Sequence, residues 1–207
     1  MKAIVGKKVG MTQMFDPEGK VIPITVIRAG PCVVTQLKTA DKDGYDAVQL
    51  GFEDVPERKL TKPRMGHLKK NGIRPLRYLR EFPLTGLSVG DEVKADVFAP
   101  GDRVDVTGTG KGKGYAGTIK RWGQSRGPES HGGGPVHRHQ GSMGANSDPS
   151  RVFPGKRMPG HLGARQVTVQ NLDIVYSDAE RGVLAVRGAV PGPRGSLVCV
   201  KTTVKNA

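Results

Sequence analysis

Cysteine is scarce in this chain of 207 residues: Cys32 and Cys199 are the only two, and they stand far apart. Two such thiols make neither a disulfide framework nor a metal cluster, so they read as small buried side chains in a reducing compartment. Acidic residues are also few, 19 against 33 Lys and Arg, which leaves a formal charge of +14. A chain this basic repels itself unless it meets a polyanion, and nucleic acid is the commonest one. Long apolar runs are missing, which excludes a membrane-spanning helix. No basic amphipathic helix is long enough to lie on an anionic membrane surface. The opening MKAIVGKKVGMTQ is too broken by glycine for a signal peptide, so a soluble, intracellular protein is predicted.

Nucleotide and catalytic signatures are lacking too. The stretch TGTGKGKGYAGTIKRWGQSR (107–126) looks at first like a phosphate cradle. A P-loop needs G-x-x-x-x-G-K-S/T. Here Lys111 and Lys113 are each followed by glycine, so no hydroxyl is placed for magnesium. G-x-G-x-x-G does fit from Gly112 through Gly114 and Gly117, yet no βαβ pattern surrounds it. HGGGPVHRH (131–139) gathers His131, His137 and His139, but neither Cys nor a carboxylate lies among them and Arg138 separates two of them. Glu129, Ser130 and His131 are neighbours in sequence without a rigid platform to make a catalytic set. The expectation is therefore no enzyme, no metal and no cofactor. An enzyme or other protein with a phosphate-bearing small ligand at 108–117, and a non-specific binder of anionic surfaces, stay as the rival classes.

What is present is β-structure and a long basic insertion. VIPITVIRAG (21–30), VVTQLKT (33–39) and YDAVQLGF (45–52) carry strand composition, with DKDG (41–44) as a turn, and suggest an antiparallel meander. Residues 88–110 predict two more strands. RQVTVQNLDIVYSD (165–178), GVLAVRGAV (182–190) and SLVCVKTTV (196–204) predict three. Short strands at this spacing favour a sandwich or barrel, here one domain over 1–207. A basic insertion at 54–83, broken by Pro63, Gly66, Gly72 and Pro75, suggests short helices at 64–71 and 75–81.

Residues 107–165 hold ten Lys and Arg against Glu129 and Asp148, 15 of the 30 glycines and four of the five histidines. Val, Ile, Leu and Phe number five there, too few to bury a core, so order is expected only where the charge is neutralised. Nearly sixty residues without a core are far too many for an ordinary loop. Glycine lets backbone approach phosphate, cations release counterions, and Tyr115, Trp122 and Phe153 offer stacking faces. No major-groove DNA motif appears, and a long irregular extension suits folded RNA. The extension is expected to leave the barrel after Val106, with AGTIKRW (116–122) helix-like. Trp122 either stacks on RNA or packs on protein.

Longer motifs carry a resemblance. VGKKVGMTQMF (5–15), DGYDAVQLGF (43–52), KPRMGHLKKNGI (62–73) and YLREF (78–82) are similar, in this order, to the family of bacterial large-subunit ribosomal protein L-three. So are VDVTGTGKGKGYAGTIKRW (104–122), SHGGGPVHRHQGSMG (130–144), FPGKRMPGHLGARQVTVQNL (153–172) and VRGAVPGPRGSLVCVK (186–201). The resemblance implies a mainly β fold: a six-stranded translation-protein-type barrel with short helices and a long, irregular, basic extension. It implies a structural component of the cytoplasmic ribosome that binds near the 3′ end of 23S rRNA and nucleates assembly of the large subunit. The extension would reach toward the peptidyl transferase centre, and ribosomal proteins L-fourteen and L-nineteen would be neighbours.

Charge and resemblance together give the candidate RNA contacts. In the body these are Lys7, Lys8, Lys62, Arg64, His67, Lys69 and Lys70. The first arm of the extension adds Lys111, Lys113, Lys120, Arg121, Trp122 and Arg126. The remainder contributes His131, His137, Arg138, His139, Ser142, Asn146, Arg151, Lys156, Arg157, His161 and Arg165. One departure matters for chemistry. Many members have Gly-Gln-Asn-Gln, with the second Gln methylated in some, where this chain has Gly144-Ala145-Asn146-Ser147. That modification is therefore not expected at Ser147. Gly110, Gly123, Pro154 and Pro159 also depart from the family pattern and leave the path of the extension open.

Overall fold

A computed structural model describes residues 1–205 and divides the chain into two compact units. One comprises residues 1–110 and the chain from 166 onward; the other is 111–165. In the first unit, β1 (Ala3–Phe15) and β2 (Val21–Ala29) form a hairpin. There follow β3 (Cys32–Lys38), the single-turn α1 (Ala40–Asp43), β4 (Ala47–Asp54), α2 (Lys62–Lys70), β5 (Leu76–Phe82), the two-residue β6 (Glu92–Val93) and β7 (Arg103–Thr109). The second unit holds β8 (Tyr115–Ala116), α3 (Thr118–Trp122) and β9 (Gly160–His161). The chain then returns to the first unit with β10 (Gln166–Asp178), β11 (Val183–Arg187) and β12 (Leu197–Thr202).

Six strands close an antiparallel barrel in the order β1-β12-β7-β10-β11-β2, the architecture that the resemblance implied. Closure removes the sheet edges that would otherwise seek partners. A second antiparallel sheet, β5-β4-β3-β6, supplies another layer. Ala3, Ile4 and Val5 are consecutive and all buried, although a strand with one wet face would alternate. They share one core with Val104, Val106, Val198 and Val200 of the barrel and with Val34, Leu50 and Phe52 of the second sheet. Gly6 is required in β1 because a Cβ there would stand 2.6 Å from the Arg28 carbonyl of β2. Asp105 is fully buried and accepts the backbone N–H groups of Asn171 and Val204 at 3.0 and 3.4 Å. The first of these bonds falls where the pairing of β10 with β7 slips between Val169 and Leu172.

Several sequence expectations need correction. The helix expected at 75–81 is strand β5, because pairing with β4 buries Leu76 and Phe82. The helix expected at 64–71 forms as α2. DKDG is not a plain turn but the end of α1, stopped by Gly44 at φ 83°. Residues 21–52 do not form one meander: β2 joins the barrel, whereas β3 and β4 pair in the other sheet. Of two strands expected in 88–110, β7 is full length, while the first shrinks to β6 followed by a 3-10 turn at Ala95–Val97. β7 continues past Val106 to Thr109. Residues 3–15, to which the sequence pattern assigned no strand, form one of the two longest strands.

Candidate nucleic-acid interface

The unit 111–165 is built by hydrogen bonds rather than by a core. Lys113 N–H donates to the Leu162 carbonyl at 2.8 Å, and Leu162 N–H returns to the Gly114 carbonyl at 2.9 Å. This ribbon continues through the pairs Tyr115–His161 and Ala116–Gly160, and the Tyr115 and His161 rings meet edge to face at 5.7 Å. Gly163, at φ 75°, is pressed against the Lys111 carbonyl, so only glycine fits. α3 begins directly after the ribbon and ends at Gly123, whose φ of 69° is the left-handed C-cap conformation.

Around α3 the cations are held in place by aromatic faces and carbonyls. Arg121 and the Trp122 indole both donate to the Met158 carbonyl at 2.8 Å. The Arg121 and Arg157 guanidinium groups lie 4.9 and 5.7 Å from the Trp122 ring. Arg151 lies 5.6 Å from the Phe153 ring. Trp122 is thus fixed by its own unit and still 40% exposed. Further along, Gly127 N–H bonds the His137 carbonyl at 3.0 Å, and His137 Nδ1 faces the Pro128 carbonyl at 3.2 Å. Lys156 donates to the Ser142 carbonyl at 2.9 Å, and Gln140 to the Arg157 carbonyl at 3.2 Å.

Of the ten cations of 111–165, only Arg126 meets a carboxylate among the described residues, Glu129 at 3.2 Å. Lys111, Lys113, Lys120, Arg126, Arg138, Arg151, Lys156, Arg157 and Arg165 are exposed, as are His131, His139, Ser142, Asn146 and His161. Arg121 and His137 are half-buried. The P-loop-like stretch spends backbone groups on the ribbon, which leaves fewer amides for a small phosphate ligand. Among the described residues no three His, Cys, Asp or Glu are grouped to hold a metal ion.

In the other unit, α2 presents Lys62, Arg64, Lys69 and Lys70 to solvent, while Leu68 anchors it against Val33 and Leu76. Lys69 also pairs with Glu57 at 3.5 Å, and the His67 ring faces Gln49 at 2.9 Å. Lys7 is half-buried, paired with Glu53 and 5.5 Å from the Tyr78 ring. Lys8 departs from the expectation for a surface contact. It is 8% exposed and its ammonium donates to the Val190 and Gly192 carbonyls at 2.9 and 3.2 Å. Its position in the barrel wall turns the charge inward, which adjacency to Lys7 in the sequence does not reveal. Sequence reasoning also missed the carbonyls that hold the cations, above all that of Met158, for which no side-chain pattern exists.

Comparisons with known proteins agree with this geometry. A family model described as ribosomal protein L3 matches residues 88–181. The chain is 56% identical over 207 residues, 99% of its own length and 98% of the relative's, to the large ribosomal subunit protein uL3 of Pelotomaculum thermopropionicum.

Proposed function

The chain belongs to the ribosomal protein L3 family and is thus a protein of the large ribosomal subunit in the cytoplasm; we propose that it acts there as a structural, non-enzymatic binder of 23S rRNA. In this reading it binds near the 3′ end of that RNA and nucleates assembly. Residues 111–165 follow the RNA backbone toward the peptidyl transferase centre without doing chemistry. The observation that carries the reading is the set of cations in 111–165 that lack carboxylate partners. Glycines keep the backbone close to the phosphates, and stacked Arg121 and Arg157 keep their planes fixed. α2 supplies a second basic surface. Ser147 carries no amide, so it offers no site for glutamine methylation.

Protein neighbours such as L-fourteen and L-nineteen fit a different surface. Beyond Lys8 the β1–β2 hairpin has no second strand partner for β1 among the described residues, and it exposes Met11, Phe15 and Val21. Residues 9–15 carry no charge. An apolar strand in a basic chain suits protein better than phosphate.

The test is the salt dependence of binding to a 23S rRNA fragment. Each phosphate neutralised contributes roughly 0.7–0.9 to the slope of log K against log salt, so replacing Lys111, Lys113 and Lys120 by Gln lowers the slope by about 2–3. A flat salt dependence overturns the reading. Thermal stabilisation by ATP but not by rRNA would favour the small-ligand alternative instead.

A further inference from the structure

One cleft of the first unit lies outside these surfaces and has the chemistry of a nucleotide site. It opens where the outer face of β12 meets one face of β5. Alternation along β12 turns Val198 and Val200 into the core and leaves Leu197, Cys199 and Lys201 on the other side. Beside it β5 exposes Arg80, and exposed Pro83 follows the end of that strand. Together with Gln166 at the start of β10, these residues line a cavity of about 420 Å³. That lies within the roughly 300–1,000 Å³ of small-ligand pockets.

The electrostatics are one-sided. Arg80 and Lys201 meet no carboxylate among the described residues; Arg80 bonds the Leu79 carbonyl and the Cys199 thiol. Glu81 also lines the cleft, but its carboxylate is held by the Tyr45 hydroxyl at 2.7 Å and by Lys38 at 3.1 Å. Two uncompensated cations therefore border an apolar surface of Pro83 and Leu197, with the Gln166 amide as a two-way hydrogen-bonding group. Cations for phosphate, an apolar surface for a ring and an amide for a base edge are the parts that a single nucleotide needs.

We infer that this cleft takes one unstacked nucleotide of an RNA strand, with its phosphate between Arg80 and Lys201 and its base against Pro83 and Leu197. The inference rests on the proposed RNA-binding function and adds a site for a single base on the first unit, built from residues outside 111–165 and α2.

Cys199 makes the site readable. It lines the cleft and is half-buried, whereas Cys32 is fully buried, with burial pushing its thiol up to about 12. Labelling of the folded chain by methyl methanethiosulfonate then reports Cys199 alone. Saturation of the site with a 23S rRNA fragment at ten times its dissociation constant slows that labelling about tenfold. The Arg80→Gln/Lys201→Gln double variant, which keeps the outward positions polar, loses the protection when labelling with rRNA is compared with labelling of the same variant free, a reference needed because Arg80 holds the Cys199 pKa down. A 4-thiouridine-substituted fragment crosslinks to residues 78–82 or 197–201 of the unaltered chain, which keeps the inference testable if the double variant does not fold. Unchanged labelling with rRNA bound, protection that survives in the double variant, or crosslinks confined to 111–165 and 62–70 overturns the cleft and leaves the RNA-binding function standing. Absence of any rRNA binding sinks that function itself. Equal protection by free nucleoside monophosphate shows a small-molecule site and overturns an RNA strand as the source. Protection seen in the assembled subunit but not with rRNA alone assigns the cleft to a protein neighbour and overturns the inference.

Discussion

A methyl group added at Gly163 collides with the Lys111 carbonyl and forces a non-glycine residue to φ 75°, a conformation that costs about 1–2 kcal/mol. Gly163→Ala is expected to spring the β8–β9 ribbon. Proteolysis within 111–165 becomes faster, while the melting transition of the barrel stays where it was. A common shift of both would refute independence of the two units. In the other unit, Glu81 has its pKa lowered, first by the hydrogen bond from Tyr45 and then by Lys38. A depressed carboxyl stabilises the fold above its ordinary value of 4.5, and the contribution is lost as pH falls through the lower folded value. Urea titrations should therefore show Glu81→Gln less stable than the unaltered chain near pH 7, with the gap closing below about pH 4. A gap that widens on acidification contradicts this sign. At this scale much was legible in the sequence: nine of the ten cations of 111–165 and the four of α2 stand at the surface as composition suggested. Lys8 was not, because facing inward is set by strand alternation within a closed wall.

Elements were read best where one physical signal dominated. β-branched residues marked β2, β3, β10, β11 and β12, and the helix-like stretch 116–122 overlaps α3. β1 escaped because Gly6, Gly10 and the pair Lys7-Lys8 interrupt its alternation, and glycine is there for a close crossing with β2 rather than a turn. β5 read as a short helix between the Pro and Gly breaks of the basic insertion; its pairing with β4 overrides that local reading. α2 carries four exposed cations on nine residues and owes its place to tertiary contact more than to propensity. Leu68→Ala removes its buried anchor and is expected to cost about 2–5 kcal/mol if the helix stays docked. Denaturant midpoints measure that loss. A smaller cost with weakened rRNA binding means that α2 detaches instead, and undiminished stability with full binding refutes its anchoring.

The whole molecule joins a closed body to an insertion that interrupts it between β7 and β10. These two strands pair from Gln166 and Thr109 inward, so the barrel is complete without the intervening 55 residues, 111–165. Closure depends instead on the last strand. β12 fills the place between β1 and β7, with Ala3 opposite Lys201 and Val104 opposite Thr202. Removing residues 196–207 is expected to abolish cooperative unfolding, as seen in near-ultraviolet circular dichroism, and retention of a sharp transition would contradict it. The pairing of the first strand with the last also imposes an order on biosynthesis. A chain made from its N-terminus presents β1 almost two hundred residues before β12 exists. Throughout that interval the β1 edge stays open and the two Lys8 acceptors, the carbonyls of Val190 and Gly192, have not yet been made. The barrel can close only after β12 has emerged, so shielding of the nascent β1 edge throughout that interval is part of what this topology demands of the cell.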